Sequence, residues 1–366
     1  MLSEGSISSQ EAPADICCEE RRCCILCGTE GVLLHSRVND PLFGVPGQWS
    51  FRRCPKAECG LVWLDPQPRE EDMARLYKDY YTHESSEDGG MLARVYSGVR
   101  DAILAHRLGY ESLSGRGWYQ RLEWLLSAIR LLRDRMEGEA RWLQAKTAGV
   151  LLDLGCGDGE YMEFMHNCGW HVVGVEPDSQ AVARAEKKGL EVYQGDVLTA
   201  RLPRDRFDAI TMNHVIEHVA KPTVVLRKCR DLLKPGGVLV MVTPNNESYG
   251  HRRFGKDWRG LEPPRHMNIY NERCLRSLTQ KAALVPERSF TSAKGAIYIL
   301  GFSRALRESR VKQRGEDFWS LYARLHRQRM SLLWMQMQAC IQLQFGRTRG
   351  EELILLARKE TDGKQG

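Results

Sequence analysis

The main pattern along the chain is an alternation of short apolar runs and amphipathic segments that starts near residue 149. The apolar runs predict strands at Val150–Leu154, Val172–Val175, Glu191–Tyr193, Phe207–Met212, Val238–Val242 and Glu352–Ala357. The intervening segments predict helices near 160–168, 178–188 and 222–233. Apolar strands that alternate with helices are typical of a parallel sheet covered on both faces. We therefore expect an α/β fold with a doubly wound, mostly parallel sheet.

The rest of the chain divides by composition. Polar residues 1–16 predict a flexible leader, and the cysteine-rich stretch 17–68 predicts a small metal-binding module. Residues 69–147 predict a helical linker or lid, because apolar residues recur there at helical spacing. One face of this region consists of Trp118, Leu122, Leu125, Ile129, Leu132 and Met136. The α/β domain then takes residues 148–366.

A helical insertion is predicted inside this domain at 303–345, a segment without proline. Its apolar stripe consists of Phe318, Tyr322, Leu325, Leu333, Met337 and Cys340. Such a stripe is more typical of a core or a lid than of a cofactor site.

Composition narrows the class of protein. With 42% hydrophobic and 27% charged residues, the 366-residue chain is globular and not disordered. The net charge of +6 is too small to indicate a polyanion partner by itself. No run reaches the roughly 18 apolar residues that a membrane helix needs, and the first residues lack the pattern of a signal peptide. We therefore expect no membrane span and a cytoplasmic location.

The first candidate binding residues lie at the end of the first predicted strand, in the segment DLGCGDG that starts at Asp153. Gly155, Gly157 and Gly159 permit a tight turn and a close approach of ligand to backbone. The loop departs from the dinucleotide fingerprint G-x-G-x-x-G, because Glu160 follows the third glycine. A carboxylate at Asp153 disfavours a pyrophosphate and favours a cationic or amino-bearing ligand.

Two further acids follow the next two predicted strands. Glu176 comes 21 residues after Gly155, at a position where a carboxylate accepts both hydroxyls of a ribose. Asp196 follows the third strand and is suited to accept the exocyclic amine of adenine. Because the carboxyl ends of parallel strands meet at one edge of a sheet, these acids and the glycine loop predict a nucleoside site.

At this point the chain resembles the Rossmann-like (class I) S-adenosylmethionine-dependent methyltransferases. The matching segments are the glycine loop, Glu176, Gly195–Asp196, Phe207–Asn213 and Leu233–Val240, and the resemblance covers about residues 145–300 and the terminal strand. It implies a cofactor site formed by Asp153, Gly155, Gly157, Gly159, Glu176, Asp196, Val197 and Asn213. Within it, Glu176 would hold the ribose, Val197 and Asp196 would contact adenine, and Asn213 with His214 would line the methionine side.

The cysteines of the amino-terminal module have metal-ligand spacing. Cys24 and Cys27 are separated by two residues, and Cys54 and Cys59 by four. Four thiolates satisfy the tetrahedral preference of zinc and leave no open position, so the predicted zinc is structural. Cys23 is a rival for Cys24, Cys17 and Cys18 are further candidates, and a set of unliganded thiols is the alternative.

This head resembles that of a bacterial group of methyltransferases with an amino-terminal zinc-binding segment. The matching parts are Cys24–Gly28, Cys59–Val62, Pro66 and the spaced Tyr77, Tyr80 and Tyr81, although the second cysteine pair is wider than in that group. The resemblance implies a small-molecule acceptor, such as a sugar or another metabolite of a surface-polysaccharide or secondary pathway.

Candidate bases for removing a proton from the acceptor are His214, His218 and His266. The first two are four residues apart and would share one face if that stretch were helical. His266 lies in a loop rich in aromatic, basic and proline residues, as is typical of a loop that covers a substrate. For each histidine, a hydrogen-bonded structural role is the alternative.

Three other functions stay open at this stage. The basic, aromatic segment 304–329 allows an RNA or protein acceptor, although a solvated helix face explains it more simply. The second alternative is a scaffold that binds S-adenosylmethionine without catalysis. The third and least favoured alternative is NAD-dependent redox chemistry.

Overall fold

The computed structural model describes residues 16–77, 91–113, 130–146, 149–308, 318–327, 334, 337–341 and 349–361. The predicted leader lies almost wholly outside these residues, as do Trp118, Leu122, Leu125, Ile129 and Leu333 from the two predicted apolar faces. Among the described residues, no helix is long and apolar enough to cross a membrane.

The strands, in chain order, are β1 (Cys18–Glu19), β2 (Val32–Val38), β3 (Trp49–Arg53), β4 (Val62–Leu64), β5 (Gln67–Pro68), β6 (Val150–Leu154), β7 (His171–Glu176), β8 (Glu191–Gln194), β9 (Phe207–Asn213), β10 (Leu233–Pro244), β11 (Asn268–Ile269), β12 (Val285–Ser292) and β13 (Glu352–Arg358). The α-helices are α1 (Met91–Leu108), α2 (Arg130–Glu137), α3 (Glu160–Asn167), α4 (Ser179–Lys187), α5 (Pro222–Leu232), α6 (Tyr249–Phe254), α7 (Glu272–Lys281), α8 (Ala296–Arg307) and α9 (Phe318–Arg327).

Seven strands form one sheet in the order β12-β13-β10-β9-β6-β7-β8. The β10–β9, β9–β6, β6–β7 and β7–β8 pairs are parallel, and β12 and β13 are antiparallel. The order of strands along the chain reverses between β6 and β9, which is the switch point where ligands bind in such sheets. The predicted α/β fold with a doubly wound, mostly parallel sheet is confirmed.

The strands form because their side chains are buried on both faces. Every residue of β9 except its last is buried, and so are Leu151 and Leu152 in β6. One end of the core packs Trp142 and Trp170 against Met165 from α3. Continuous burial explains why the strand runs are apolar throughout and do not alternate.

One edge strand was missed by the sequence analysis. β12 reads VPERSFTS, and its proline and charged residues hide the apolar alternation. It lies at the edge of the sheet, where one face and one row of backbone groups are exposed. Its register with β13 pairs Ser292 with Glu352.

The described chain divides into two compact units, and the division differs from the predicted boundaries. One unit contains the seven-stranded sheet, and the other joins the amino-terminal segment to residues 244–274 and 295–351. Within the second unit, β11 pairs with β4 in a four-stranded sheet ordered β11-β4-β3-β2. Local sequence carries no signal for pairing between such distant segments. For this reason the sequence predicts residues 17–68 as a separate module.

The helix predicted over 303–345 also has different bounds in the structure. α8 begins before it, at Ala296, and ends at Arg307, and α9 is a separate helix. In α9, Leu325 is buried as predicted, whereas Met337 beyond it is exposed.

A buried charge network stabilises the unit that contains the four-stranded sheet. Arg265 is fully buried, and its guanidinium donates to Asp40 (2.6 Å) and to Glu262 (3.0 Å) while lying over the ring of Phe43. Burial raises the pKa of Asp40. Burial also acts to raise the pKa of Glu262, but the positive charges of Arg259, His266 and Arg265 outweigh it and hold that pKa well below its ordinary value.

We expect Arg265→Met to lower the free energy of unfolding by about 3 to 5 kcal/mol, because buried Asp40 loses its counter-ion and Glu262 loses one of its three cationic neighbours. The control is Arg273→Met, which removes an exposed pair with Glu247 and costs no more than about 1 kcal/mol. Urea unfolding followed by tryptophan fluorescence measures both, and equal effects would contradict the network.

Candidate functional site

The glycine loop connects β6 to α3 at the carboxyl edge of the sheet. Gly155, Gly157 and Gly159 all have left-handed backbone conformations, with φ of 70°, 57° and 83°. A Cβ at Gly155 would lie 2.7 Å from a methyl of Val215, and one at Gly159 would lie 2.4 Å from a methyl of Leu190. Conformation therefore favours glycine at all three positions, and space favours it also at Gly155 and Gly159.

Glu176, the last residue of β7, is held against this loop. Its Oε2 accepts the backbone N–H of Gly157 (2.9 Å), and its Oε1 accepts that of Asp178 (3.0 Å). Each carboxylate oxygen has a second lone pair, so the arrangement fixes the carboxylate and still permits two hydroxyl donors. Burial raises the pKa of Glu176, and the two backbone hydrogen bonds oppose that rise.

Asp153 lies at the base of the loop and is fully buried. Its Oδ1 accepts a hydrogen bond from the hydroxyl of Thr211 (2.8 Å) and an ion-paired hydrogen bond from Arg141. Its Oδ2 is buried and has no hydrogen-bond partner among the described residues. Burial raises the pKa of Asp153, and the Arg141 charge opposes the rise.

Sequence reasoning missed Arg141. Its guanidinium also lies 3.6 Å from the ring centroid of Tyr161, in the first turn of α3. Arg141 and the next residue, Trp142, have positive φ values of 48° and 54°, a conformation that non-glycine residues adopt at a cost. A basic residue shortly before the first strand was the one available signal, and nothing local marked it as buried.

The remaining predicted cofactor residues lie at neighbouring strand ends. Asp196 follows β8 and is exposed, and its Oδ1 accepts the N–H groups of Leu198 (2.6 Å) and Thr199 (2.9 Å), which fixes a turn. Val197 is buried, and Asn213 is the exposed last residue of β9. Their contacts with adenine and methionine stay predictions.

The donors and acceptors of this edge fit S-adenosylmethionine. A vicinal diol suits the fixed Glu176 carboxylate, and an ammonium suits the unpartnered Oδ2 of Asp153. A pyrophosphate suits neither.

His214 is held between two carboxylates directly after β9. Its Nδ1 is 3.2 Å from Glu217 and its Nε2 is 3.4 Å from Glu352, while its backbone φ is 55°. Partial burial lowers its pKa, but the two carboxylate hydrogen bonds outweigh this and raise the pKa to about 10. An imidazolium has no lone pair for a proton, so this environment disfavours His214 as the predicted base.

The other two candidate bases have different surroundings. His218 ends a one-turn 3₁₀ helix, Ile216–His218, that does not include His214, so the two do not share a helix face. His266 is buried, and its Nδ1 donates to the carbonyl of Gly260 (2.8 Å), with Glu262 3.6 Å from its Nε2. Their catalytic roles stay predictions.

The four predicted zinc ligands come together. The sulfur atoms of Cys24, Cys27, Cys54 and Cys59 all lie within 4.8 Å of one another. The closest pairs are Cys24 with Cys59 (3.6 Å) and Cys27 with Cys54 (3.5 Å). A tetrahedral zinc–thiolate site requires sulfur separations of roughly 3.8 Å, so the donor set fits zinc.

The same geometry separates the rival cysteines from the cluster. Cys23 and Cys17 are exposed, and they and Cys18 are not part of it. Gly28 and Gly60, which follow the two cysteine pairs, have left-handed φ values of 69° and 66°. Each pair thus ends in a glycine turn, as its spacing predicted. Zinc occupancy stays a prediction.

Comparisons with known proteins agree with this geometry. A family model described as a methyltransferase domain matches residues 123–287. A ubiquinone biosynthesis O-methyltransferase of Cereibacter sphaeroides is 40% identical over 116 residues, which cover 30% of this chain and 47% of that protein. Another, of Paraburkholderia xenovorans, is 29% identical over 170 residues, which cover 43% of this chain and 73% of that protein.

Among solved structures, an S-adenosylmethionine-dependent methyltransferase from Mesorhizobium loti aligns with a TM-score of 0.41 and 16% identity, over 62% of this chain and 97% of that one.

The fold and the glycine-loop site define a Rossmann-like nucleoside-binding domain at the switch point of a parallel sheet. More specifically, residues 123–287 match a methyltransferase domain. The match spans about half the length of the first Cereibacter relative.

We expect purified protein to contain about one zinc ion per chain, because four thiolates complete a tetrahedral site. Cys54→Ser should remove most of this zinc, as measured by inductively coupled plasma mass spectrometry. Cys23→Ser is the matched control and should retain it. Zinc-free wild-type protein from a zinc-supplemented culture would refute the site.

His214 should contribute to stability in a pH-dependent way. Its folded pKa is raised to about 10 from 6.5, so its stabilising effect is complete below pH 6.5 and is lost as the pH rises through 10. The difference in unfolding free energy between wild type and His214→Gln should therefore shrink from pH 6.5 to pH 10. A constant difference across that range in urea titrations would mean that the imidazole is not held as a cation.

Proposed function

We propose that this protein transfers the methyl group of S-adenosylmethionine to an oxygen atom of a small-molecule acceptor. The observation that carries the proposal is the paired arrangement of Glu176 and Asp153 around the glycine loop. The named activity of the ubiquinone-biosynthesis relatives supports an oxygen acceptor. The resemblance of the cysteine head to bacterial methyltransferases supports a metabolite as substrate.

The cofactor supplies a methyl group on a sulfonium, which an acceptor oxygen displaces in line. The protein contributes alignment, which is worth roughly 7 to 11 kcal/mol in well-oriented reactions. Glu176 would fix the ribose, and Asp153 would hold the amino group. Their carboxylates are themselves immobilised by Gly157, Asp178 and Arg141, so little reorganisation is needed when the cofactor binds.

The basic segment gives less support to an RNA or protein acceptor. Of its four described arginines, two are paired: Arg304 pairs with Glu308, and Arg307 pairs with Asp257 and donates to a backbone carbonyl. Charges that are already paired attract phosphates less than free ones do.

We expect Glu176→Gln and Asp153→Asn each to weaken binding of S-adenosylhomocysteine by about 10- to 100-fold, because each removes charge-assisted hydrogen bonds worth about 1.5 to 3 kcal/mol. Isothermal titration calorimetry measures the change, and circular dichroism checks the fold. Glu186→Gln, on the exposed face of α4, is the matched control and should bind as wild type does. Unchanged affinity in both site variants would refute the proposed cofactor site.

A further inference from the structure

A strained turn before β6 holds Arg141 in place. Arg141 and Trp142 have positive φ values of 48° and 54°, a conformation that persists only where the surrounding structure enforces it. The N–H of Arg141 donates to the carbonyl of Gly138 (3.2 Å), and that of Trp142 donates to the carbonyl of Glu137 (2.8 Å). The ring of Trp142 is buried and packs on the ring of Phe290, whereas the guanidinium of Arg141 contacts Asp153 in the glycine loop. The core therefore fixes a turn that brings one arginine to the proposed cofactor site.

The guanidinium of Arg141 has donors that its protein partners do not use. An arginine carries five N–H groups in a planar fork. Here Nη1 donates to Asp153 and to the hydroxyl of Thr211 (3.1 Å), while the guanidinium lies over the ring of Tyr161. Nε and Nη2 have no hydrogen-bond partner among the described residues. The side chain is 10% exposed, and neither nitrogen belongs to the fully buried atoms that lack a partner, so these donors stay accessible.

An acceptor without a partner belongs to the same ion pair. Oδ1 of Asp153 accepts from Arg141 and Thr211, but its Oδ2 is buried and has no partner among the described residues. The pair thus offers one anionic acceptor and one cationic set of donors. The free amino-acid end of a ligand offers the complement, an ammonium and a carboxylate on one carbon. With the ammonium on Asp153 and the carboxylate on Arg141, four charges alternate in sign and sum to zero.

We propose that Arg141 binds the carboxylate of the methionine portion of S-adenosylmethionine and selects the intact amino acid over its decarboxylated form. The proposal rests on the proposed function and adds a specificity-determining residue to it. The sequence placed Asn213 and His214 on the methionine side, and neither offers a free cationic fork. Both ring nitrogens of His214 already face carboxylates, and Asn213 is uncharged. Arginine matches a carboxylate in two parallel hydrogen bonds, which a point charge does not.

A role for Arg141 as counter-ion of Asp153 alone makes a different prediction. Loss of a counter-ion disturbs the glycine loop and therefore weakens every ligand of the loop alike. Loss of a carboxylate contact weakens only those ligands that carry a carboxylate. The ratio of two affinities measured in one variant therefore separates the contact from any change in folding or loop structure.

The test compares S-adenosylhomocysteine with 5′-deoxy-5′-(3-aminopropylthio)adenosine, the same molecule without its carboxylate. Isothermal titration calorimetry measures both affinities. We expect wild type to prefer S-adenosylhomocysteine by about 10- to 100-fold, the usual effect of charge-assisted hydrogen bonds, and Arg141→Gln to lose this preference. Arg107→Gln, which removes the partner of buried Glu137, is the matched control and should keep the preference. The same preference in Arg141→Gln as in wild type overturns the proposal, as does a wild type that binds both nucleosides equally.

A second pair of variants covers a loss of folding in Arg141→Gln, which leaves Asp153 buried without its counter-ion. Asp153→Asn retains the fork and should retain the preference for the carboxylate, although both nucleosides bind more weakly. The double variant Arg141→Gln/Asp153→Asn leaves no uncompensated charge and should lose the preference. Equal preferences in these two variants overturn the proposal. A crystal structure of wild type with S-adenosylhomocysteine reads the contact directly, and a carboxylate beyond hydrogen-bond distance of Arg141 also overturns it. Absence of binding of either nucleoside to folded wild type is a different outcome, because it refutes the proposed function itself.

Discussion

The buried ion pair between Asp153 and Arg141 is the interaction on which the methyltransferase domain depends most. It joins the end of β6, the loop before that strand and, through Thr211, the neighbouring strand β9. The guanidinium also stacks on Tyr161 at the start of α3, so both ends of the glycine loop are attached to one group. Removing either charge would leave the other buried without compensation, which typically costs about 3 to 5 kcal/mol.

The parts of the structure that the sequence predicted are those with local signals. Strands β6 to β10, the helices between them and the glycine loop depend on residues within one turn or one strand of each other. The positions of Glu176 and Asp196 followed from topology alone, because parallel strands end at one edge. Spacing favoured Cys24 over Cys23, and Cys24 is the one that lies in the cluster.

The parts that the sequence did not predict depend on contacts between distant segments. Arg141 has the sequence features of an ordinary surface residue, and only the fold buries it against Asp153 and Tyr161. The unit around the cysteine cluster is another example. Asn271 donates to the carbonyl of Cys59 (3.0 Å), and Asn246 donates to that of Gly60 (3.1 Å), across more than 180 residues of sequence. These side chains satisfy the turn carbonyls at the second cysteine pair, so the pair is held by the chain as well as by any metal.

The distribution of charge along the carboxyl edge is unequal in a way that suits transfer from a sulfonium. Around the glycine loop two buried carboxylates, those of Asp153 and Glu176, would stabilise a cation. Arg141 compensates Asp153 within this region, whereas beyond the switch point His214 lies between the carboxylates of Glu217 and Glu352. Methyl transfer would convert the sulfonium into a neutral thioether, so the first region would lose the positive charge that its carboxylates stabilise.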